Sequence, residues 1–233
     1  MQKIEKIIHY CWFGNKPMSN LNLKCLESWK KYLPDYKIMH WNENNSPMEH
    51  PYIKAAMKRR LYAFVSDYVR LYALQNFGGI YMDTDMELIK NPTPILDNLE
   101  FFSAYEDIKA GSVSCGMFGA YKNNNIINQM LEYINEYGVP KKYFVVIPAI
   151  ATYVIKKMPE NEFVNIFSCE YFYPYNPYDE HGDKQLMFSS ITENTYAIHH
   201  WEASWVGKTF WHKVKKKLKK ILRLNWQVSV EVV

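Results

Sequence analysis

The chain has 233 residues, 48% of them hydrophobic and 22% charged, with a formal net charge of +4. That length accommodates one substantial core and is short for two independent domains, and the composition is that of an ordinary globular protein. The cysteines, Cys11, Cys25, Cys115 and Cys169, show no Cys-x-x-Cys spacing, which argues against a zinc site or a disulfide framework, and no stretch approaches the ~20 apolar residues of a membrane span.

From the N-terminus, the apolar run in MQKIEKIIHYCWFG is too short for a signal peptide, so the expected location is a reducing cytoplasm. Within it, Lys6 to Phe13 reads as a first strand, and Gly14, Asn15 and Pro17 turn the chain. Residues 19–32 read as a helix and Tyr36 to Trp41 as a second strand, and strand, helix, strand is the opening of a nucleotide-binding α/β domain. One long helix is predicted from Pro51 to Phe77, with an apolar stripe at Leu61, Phe64, Val65, Tyr68 and Tyr72 and a stop at Gly78-Gly79. Asp67 and Arg70 share a helical face off that stripe, which by spacing alone is a surface ion pair worth very little.

Residues 78–89, GGIYMDTDMELI, then place Asp83 and Asp85 at the end of an apolar strand. Strand ends at the sheet rim are where α/β sheets bind ligands. Three readings fit the pair alone: a polar strand end, a site for Mg²⁺ or Mn²⁺ bound with substrate phosphates, and a phosphatase-like nucleophile with its acid. Downstream, Asn91 to Ile95 reads as a loop, Phe101 to Tyr105 and Ser112 to Tyr121 as strands, and Asn125 to Tyr137 as a helix. Residues 141–190 read as irregular, with some helix near 148–157. Thr195 to Trp205 begins as a short strand and presents His199, His200, Glu202, Ser204 and Trp205. Two adjacent imidazoles there offer a third metal ligand, and imidazole favours Mn²⁺ over Mg²⁺ or Ca²⁺.

The segments IIHYCWFG, AFVSDYVRLYALQNFGGIYMDTDME and AIHHWEASW, in that order, resemble glycosyltransferase family 32, and the order is similar to that of the glucosyltransferase domains of large clostridial toxins. The resemblance covers roughly residues 4 to 90 and 190 to 205, and the combination Ser-Asp-x-x-Arg with Phe-Gly-Gly-Ile-Tyr-x-Asp-x-Asp is far more specific than Asp-x-Asp alone. It implies an α/β fold of the GT-A type, a single domain over 1–206 with a mostly parallel central sheet flanked by helices. The implied activity is a retaining transfer from a nucleotide-sugar donor, a UDP-sugar being favoured, to a glycan acceptor in capsular or surface polysaccharide synthesis, with Mn²⁺ or Mg²⁺. Position by position, the resemblance gives Trp12 the nucleobase, with Asn44 near it, and Ser66 the ribose. Asp67 and Arg70 take the donor sugar, Asp83, Asp85 and His199 the metal, and Ser204 and Trp205 the segment closing over the diphosphate. The role of His200 is left open.

Two other readings of the chain stand beside this one. A haloacid-dehalogenase-like phosphatase would want Thr or Val where Glu87 stands, and a non-catalytic nucleotide-sugar or carbohydrate-binding module of the same fold would keep the site without turnover. Charge is unevenly placed: Lys208 to Arg223 holds eight Lys or Arg and no acid, and the rest of the chain is slightly acidic. That argues against a nucleic-acid groove across the domain. Trp211, Val214, Leu218, Ile221 and Leu222 form a helical stripe among those lysines, so residues 207–233 read as a basic amphipathic tail suited to an anionic membrane surface. Peripheral attachment to the inner face of the plasma membrane would suit a lipid-linked acceptor.

Overall fold

Alternate residues along the first strand, β1 (Ile7–Cys11), serve opposite faces of the sheet, as strand geometry requires. Ile8 and Tyr10 enter one apolar cluster with Trp29, Leu33, Ile80 and Met82, while Cys11 enters the other with Trp41, Val69, Leu74 and Tyr81. The computed structural model describes residues 2–14, 16–107, 109–141, 144–178 and 184–202, and Met1–Trp201 forms a single unit. Ser204, Trp205 and the predicted tail lie outside the described residues.

After β1 come α1 (Asn20–Tyr32), β2 (Lys37–Trp41), α2 (Pro51–Lys58), α3 (Tyr62–Phe77), β3 (Gly79–Met82) and β4 (Met86–Leu88). A one-turn helix α4 (Thr93–Leu96), β5 (Phe101–Asp107), β6 (Ser112–Ala120) and α5 (Asn125–Tyr133) follow. A π-helical turn over Ile134–Gly138 leads to α6 (Val139–Lys141), α7 (Ile147–Lys157), β7 (Val164–Phe167) and β8 (Ala197–His199). The main sheet runs β2-β1-β3-β6-β5-β7, and β4 pairs with β8 in a second, two-stranded sheet. β1 is parallel to β2 and β3, β5 is parallel to β7, and the β3–β6 and β5–β6 pairings are antiparallel. The fold is the expected α/β domain with a mostly parallel six-stranded sheet between helices.

Several elements differ from the sequence reading. The single helix expected from Pro51 to Phe77 is two, because Arg60 adopts a left-handed conformation with φ 55° and its N–H donates to the Met57 carbonyl, closing α2. Its second half, α3, buries Val65, Asp67, Tyr68, Val69, Arg70, Leu71, Ala73 and Leu74. A helix enclosed nearly all round has no solvent face to carry a surface ion pair, so that expectation for Asp67 and Arg70 is corrected. The loop expected at Asn91 to Ile95 contains α4, and the irregular stretch contains β7. Helix α1 begins where expected, with Ser19 Oγ accepting from the Asn22 N–H and Asn22 Oδ1 accepting from the Ser19 N–H.

Gly78 and Gly79 carry φ of 63° and 103°, and a Cβ on Gly79 would stand 2.5 Å from the Ile7 carbonyl oxygen. The turn that stops α3 and launches β3 beside β1 therefore needs glycine. His9, wholly buried, anchors the same turn: its Nε2 lies 2.7 Å from the Gly78 carbonyl and its Nδ1 3.1 Å from Trp41 Nε1. Since Trp41 can only donate, Nδ1 accepts and Nε2–H donates, which is the neutral imidazole. Burial pushes its pKa down to about 4. A group depressed on folding is neutral in the fold and protonated when unfolded, so its contribution to stability is lost as pH falls from 6.5 toward 4. Urea unfolding at pH 7 and pH 4 should show an acid-dependent loss that shrinks in His9→Gln by on the order of 3 kcal/mol. Equal acid sensitivity in the two proteins would refute this.

Candidate functional site

The C-terminal ends of β1, β2, β3 and β5 and the opening half of β6 share one rim of the sheet, because the first three are parallel and β6 runs against both its neighbours. Asp83 follows Met82 at the end of β3 and continues the alternation on the side of Tyr81, the side covered by α3. Its backbone N–H donates to the Gly116 carbonyl on β6 at 2.7 Å. Gly116 is small where it must be, since a Cβ there would sit 3.2 Å from both Asp83 Oδ2 and the Tyr173 hydroxyl.

Arg70 reaches this strand end from α3 and is 6% exposed. Its Nη2 lies 3.2 Å from Asp67 Oδ1 and 3.3 Å from Asp83 Oδ1, its Nη1 donates to the Cys115 carbonyl at 2.7 Å, and its Nε donates to the Ser66 carbonyl at 3.3 Å. The guanidinium carbon lies 4.4 Å from the centre of the Tyr81 ring, and the Tyr81 hydroxyl donates to Asp83 Oδ1 at 3.0 Å. The planar fork of arginine meets these partners together, which a lysine ammonium would not. Burial pushes Asp67 up to about 6, opposed by Arg70 and by the Ile147 N–H at the start of α7. Asp83 is also raised by burial, with Arg70 opposing and Asp85 adding to the shift.

Asp85 and His199 meet through the small sheet. β4 pairs with β8 so that Met86 faces His199, and the His200 N–H donates to the Asp85 carbonyl at 3.0 Å. His199 Nε2 stands 3.2 Å from Asp85 Oδ1. Burial works against charge on this imidazole, yet the carboxylate of Asp85 leaves its pKa raised from 6.5. One ligand atom from each of Asp83, Asp85 and His199 falls within a 4.8 Å group. Two carboxylates and an imidazole are a donor set that fits Mn²⁺ or Mg²⁺. His199 Nδ1 is buried with no hydrogen-bond partner, an arrangement that costs about 1–3 kcal/mol unless something compensates it. His200, next along the strand, instead places Nε2 2.8 Å from Glu87 Oε2 and does not join the group.

The remaining expected residues fall on or behind the same rim. Trp12 leaves the end of β1, half-buried, with its indole N–H donating to the Lys16 carbonyl at 2.7 Å. Asn44 is exposed in the turn after β2, and the neighbouring Glu43 accepts from the Gly14 N–H at 2.7 Å, tying the two loops together. Ser66 lies one helical turn before Arg70. Tyr81, Gly116 and Tyr173 were missed. Tyr81 was detectable as the strand residue two before Asp83, whereas nothing in the sequence linked Tyr173 or Gly116 to it.

Residues 19–102 match the family described as a glycosyltransferase sugar-binding region containing a DXD motif. The fold is of the GT-A type, and the matched region carries Asp67, Arg70, Asp83 and Asp85. Among solved structures it is similar to the PaToxG glycosyltransferase, at 20% identity and TM-score 0.53 over 67% of this chain and 69% of that one. It is also similar to a glycosyltransferase involved in glycosylation of the major capsid of PBCV-1, at 13% identity and TM-score 0.52 over 85% and 94%. The glycosyltransferase GlyE of Streptococcus pneumoniae TIGR4 aligns at 13% identity and TM-score 0.51 over 99% of this chain and 64% of that one. No curated protein matches the sequence.

Arg70 and its acids form one energetic unit. Replacing Arg70 by Met should cost on the order of 3–5 kcal/mol in urea unfolding, because Asp67 and Asp83 lose their buried cation. Adding Asp67→Asn to that variant should recover part of the loss, a coupling of about 0.5–3 kcal/mol. Strictly additive losses would show that the pair is not coupled.

Proposed function

We propose that the chain is a metal-dependent, retaining glycosyltransferase of family 32 that transfers a sugar from a nucleotide-sugar donor, by preference a UDP-sugar, to a glycan acceptor in capsular or surface polysaccharide synthesis. The observation that carries this reading is the meeting of Asp83, Asp85 and His199 within 4.8 Å at the sheet rim, directly beside buried Arg70. In such a reaction the anomeric carbon–oxygen bond to the diphosphate breaks, and its electron pair stays on the diphosphate. The acceptor hydroxyl oxygen bonds to the anomeric carbon and its proton leaves with the nucleotide.

Asp83, Asp85 and His199 would hold Mn²⁺ or Mg²⁺, which supplies positive charge to the leaving diphosphate. Arg70 keeps a fixed positive charge at the rim, and its contact with Asp83 orients that ligand. Asp67, held by Arg70 and by the α7 N-terminus, offers its carboxylate to donor-sugar hydroxyls. Trp12, its indole N–H anchored to Lys16, would take the nucleobase with Asn44 near it, and Ser66 would meet the ribose. Ser204 and Trp205 would close over the diphosphate.

A panel of nucleotide sugars assayed with Mn²⁺ or Mg²⁺ should reveal one that is hydrolysed, with activity abolished by excess chelator. Asp85→Asn should remain folded and lower that hydrolysis by orders of magnitude, since the charge opposing the leaving group is lost. Full activity in chelator, or normal turnover in Asp85→Asn, would remove the metal mechanism. A bound donor with no release at all would favour a binding module.

The basic, apolar-striped residues 208–223 support an acceptor at the cytoplasmic face of a membrane. No helix of the described residues is long and apolar enough to cross a bilayer. Each Lys or Arg near an anionic surface contributes about 1 kcal/mol, screened by salt, and the apolar stripe adds a salt-resistant part. Truncation after Val206 should abolish sedimentation with phosphatidylglycerol vesicles. Binding that survives truncation, or full-length protein that ignores these vesicles at low salt, would leave the lipid-linked acceptor without support.

A further inference from the structure

A carboxylate outside the expected set stands on the same rim. Glu106 is the extra residue of a β-bulge: Tyr105 faces Val113 and Asp107 faces Ser112, which leaves Glu106 unpaired in the ladder between them. Bulges re-aim a side chain and recur beside active sites. The Glu106 carboxylate accepts from Ser112 Oγ at 2.9 Å, and the Glu106 backbone carbonyl accepts from Asn176 Nδ2 at 3.2 Å. Ser114, one turn of the ladder further in, shares hydrogen bonding with both Glu106 and Tyr173, and Tyr173 lies against His199 with ring centroids 5.7 Å apart.

Asn176 belongs to a segment that borders the metal-type cluster from the other side. Trp201 Nε1 donates to the Tyr175 carbonyl at 3.0 Å, and the Trp201 ring lies 4.1 Å from that of His199 and 5.8 Å from that of Tyr178. Trp201 holds this position with φ 55°, a backbone conformation that is costly for a bulky residue and persists where the surroundings impose it. Aromatic faces next to an anchored hydrogen-bond acceptor are what recognition of a pyranose calls for, since the ring offers an apolar C–H face and hydroxyl donors at its edge. Burial raises the Glu106 pKa, with Ser112 and His199 opposing, so keeping a carboxyl here works against its own solvation.

We propose that Glu106, with the Tyr178–Trp201 aromatic pair, forms the acceptor subsite: the carboxylate accepts a hydrogen bond from a pyranoside hydroxyl and the rings take the sugar face. This rests on the transferase reading above and assigns the β5–β6 edge of the rim to the acceptor, leaving Asp67 and Arg70 to the donor. Glu106 here positions a substrate and takes no part in donor cleavage.

The test uses the full-length protein with Mn²⁺, the nucleotide sugar that the panel shows to be hydrolysed, and methyl α- and β-glycosides of glucose, galactose, mannose and N-acetylglucosamine as acceptors. Glu106→Gln should hydrolyse donor in the absence of glycoside within about twofold of wild type, with donor KM unchanged. Its KM for the best glycoside should rise at least tenfold. Ser112→Ala, which only loosens the carboxylate, should raise the same KM about threefold and serves where Glu106→Gln fails to fold. Hydrolysis and transfer falling together in Ser112→Ala, unaltered acceptor KM in a folded Glu106→Gln, or a wild type that hydrolyses donor but transfers to none of the glycosides would each overturn the subsite. Absence of hydrolysis with every nucleotide sugar would instead remove the transferase reading on which it rests.

Discussion

A buried guanidinium holds the rim together. Arg70 touches Asp67, Asp83, the Tyr81 ring and the Cys115 carbonyl, and so joins α3, β3 and β6 through one side chain. An isolated ion in that place would be prohibitive, and either acid without the cation would shed its charge by taking up a proton. The arrangement is stable only as a set, with the α7 N-terminus completing it at Asp67. What the set achieves is a carboxylate, Asp83, fixed at a strand end in a direction that a solvated aspartate would not keep.

Glycine complements that cation at two places. Gly78-Gly79 turn α3 into β3 with backbone angles that a side chain would strain, and this brings the helix bearing Arg70 directly beside the strand bearing Asp83. Gly116 leaves room on β6 for the Asp83 carboxylate and the Tyr173 hydroxyl. The main-chain path and the charge network thus specify each other, and neither reads as a site when taken alone.

Much of this was legible in the sequence because it lies in local pattern. The apolar run into Asp-Thr-Asp, the Gly-Gly stop and the adjacent imidazoles mark their elements within a few residues of their true bounds. Burial of Asp67 and Arg70 was not legible, since three-residue spacing looks the same on a surface helix and on an enclosed one, and only packing by α2, α5 and the sheet tells them apart. The break at Arg60 was hidden because helical periodicity continues across a single left-handed residue. β4, β7 and the bulge at Glu106 escaped because strands of three or four residues carry too little alternation, and a bulge is a property of the partner strand's register.

The small ladder of β4 and β8 decides how the cluster is assembled. It joins segments far apart in sequence, His200 and Glu87 being separated by 113 residues, and its Met86, Leu88, Ala197 and Ile198 are buried. Trp29 Nε1 donates to the Met86 carbonyl and the Leu88 N–H donates to Ser28 Oγ, so the ladder is seated on α1. Asp83 is set by Arg70 on the main sheet, whereas Asp85 and His199 meet only through this late, long-range pairing, whose closure must meet the entropy of a long intervening chain. Two of the three ligand-type groups thus depend on the docking of a short strand near residue 200, and only one on the central sheet.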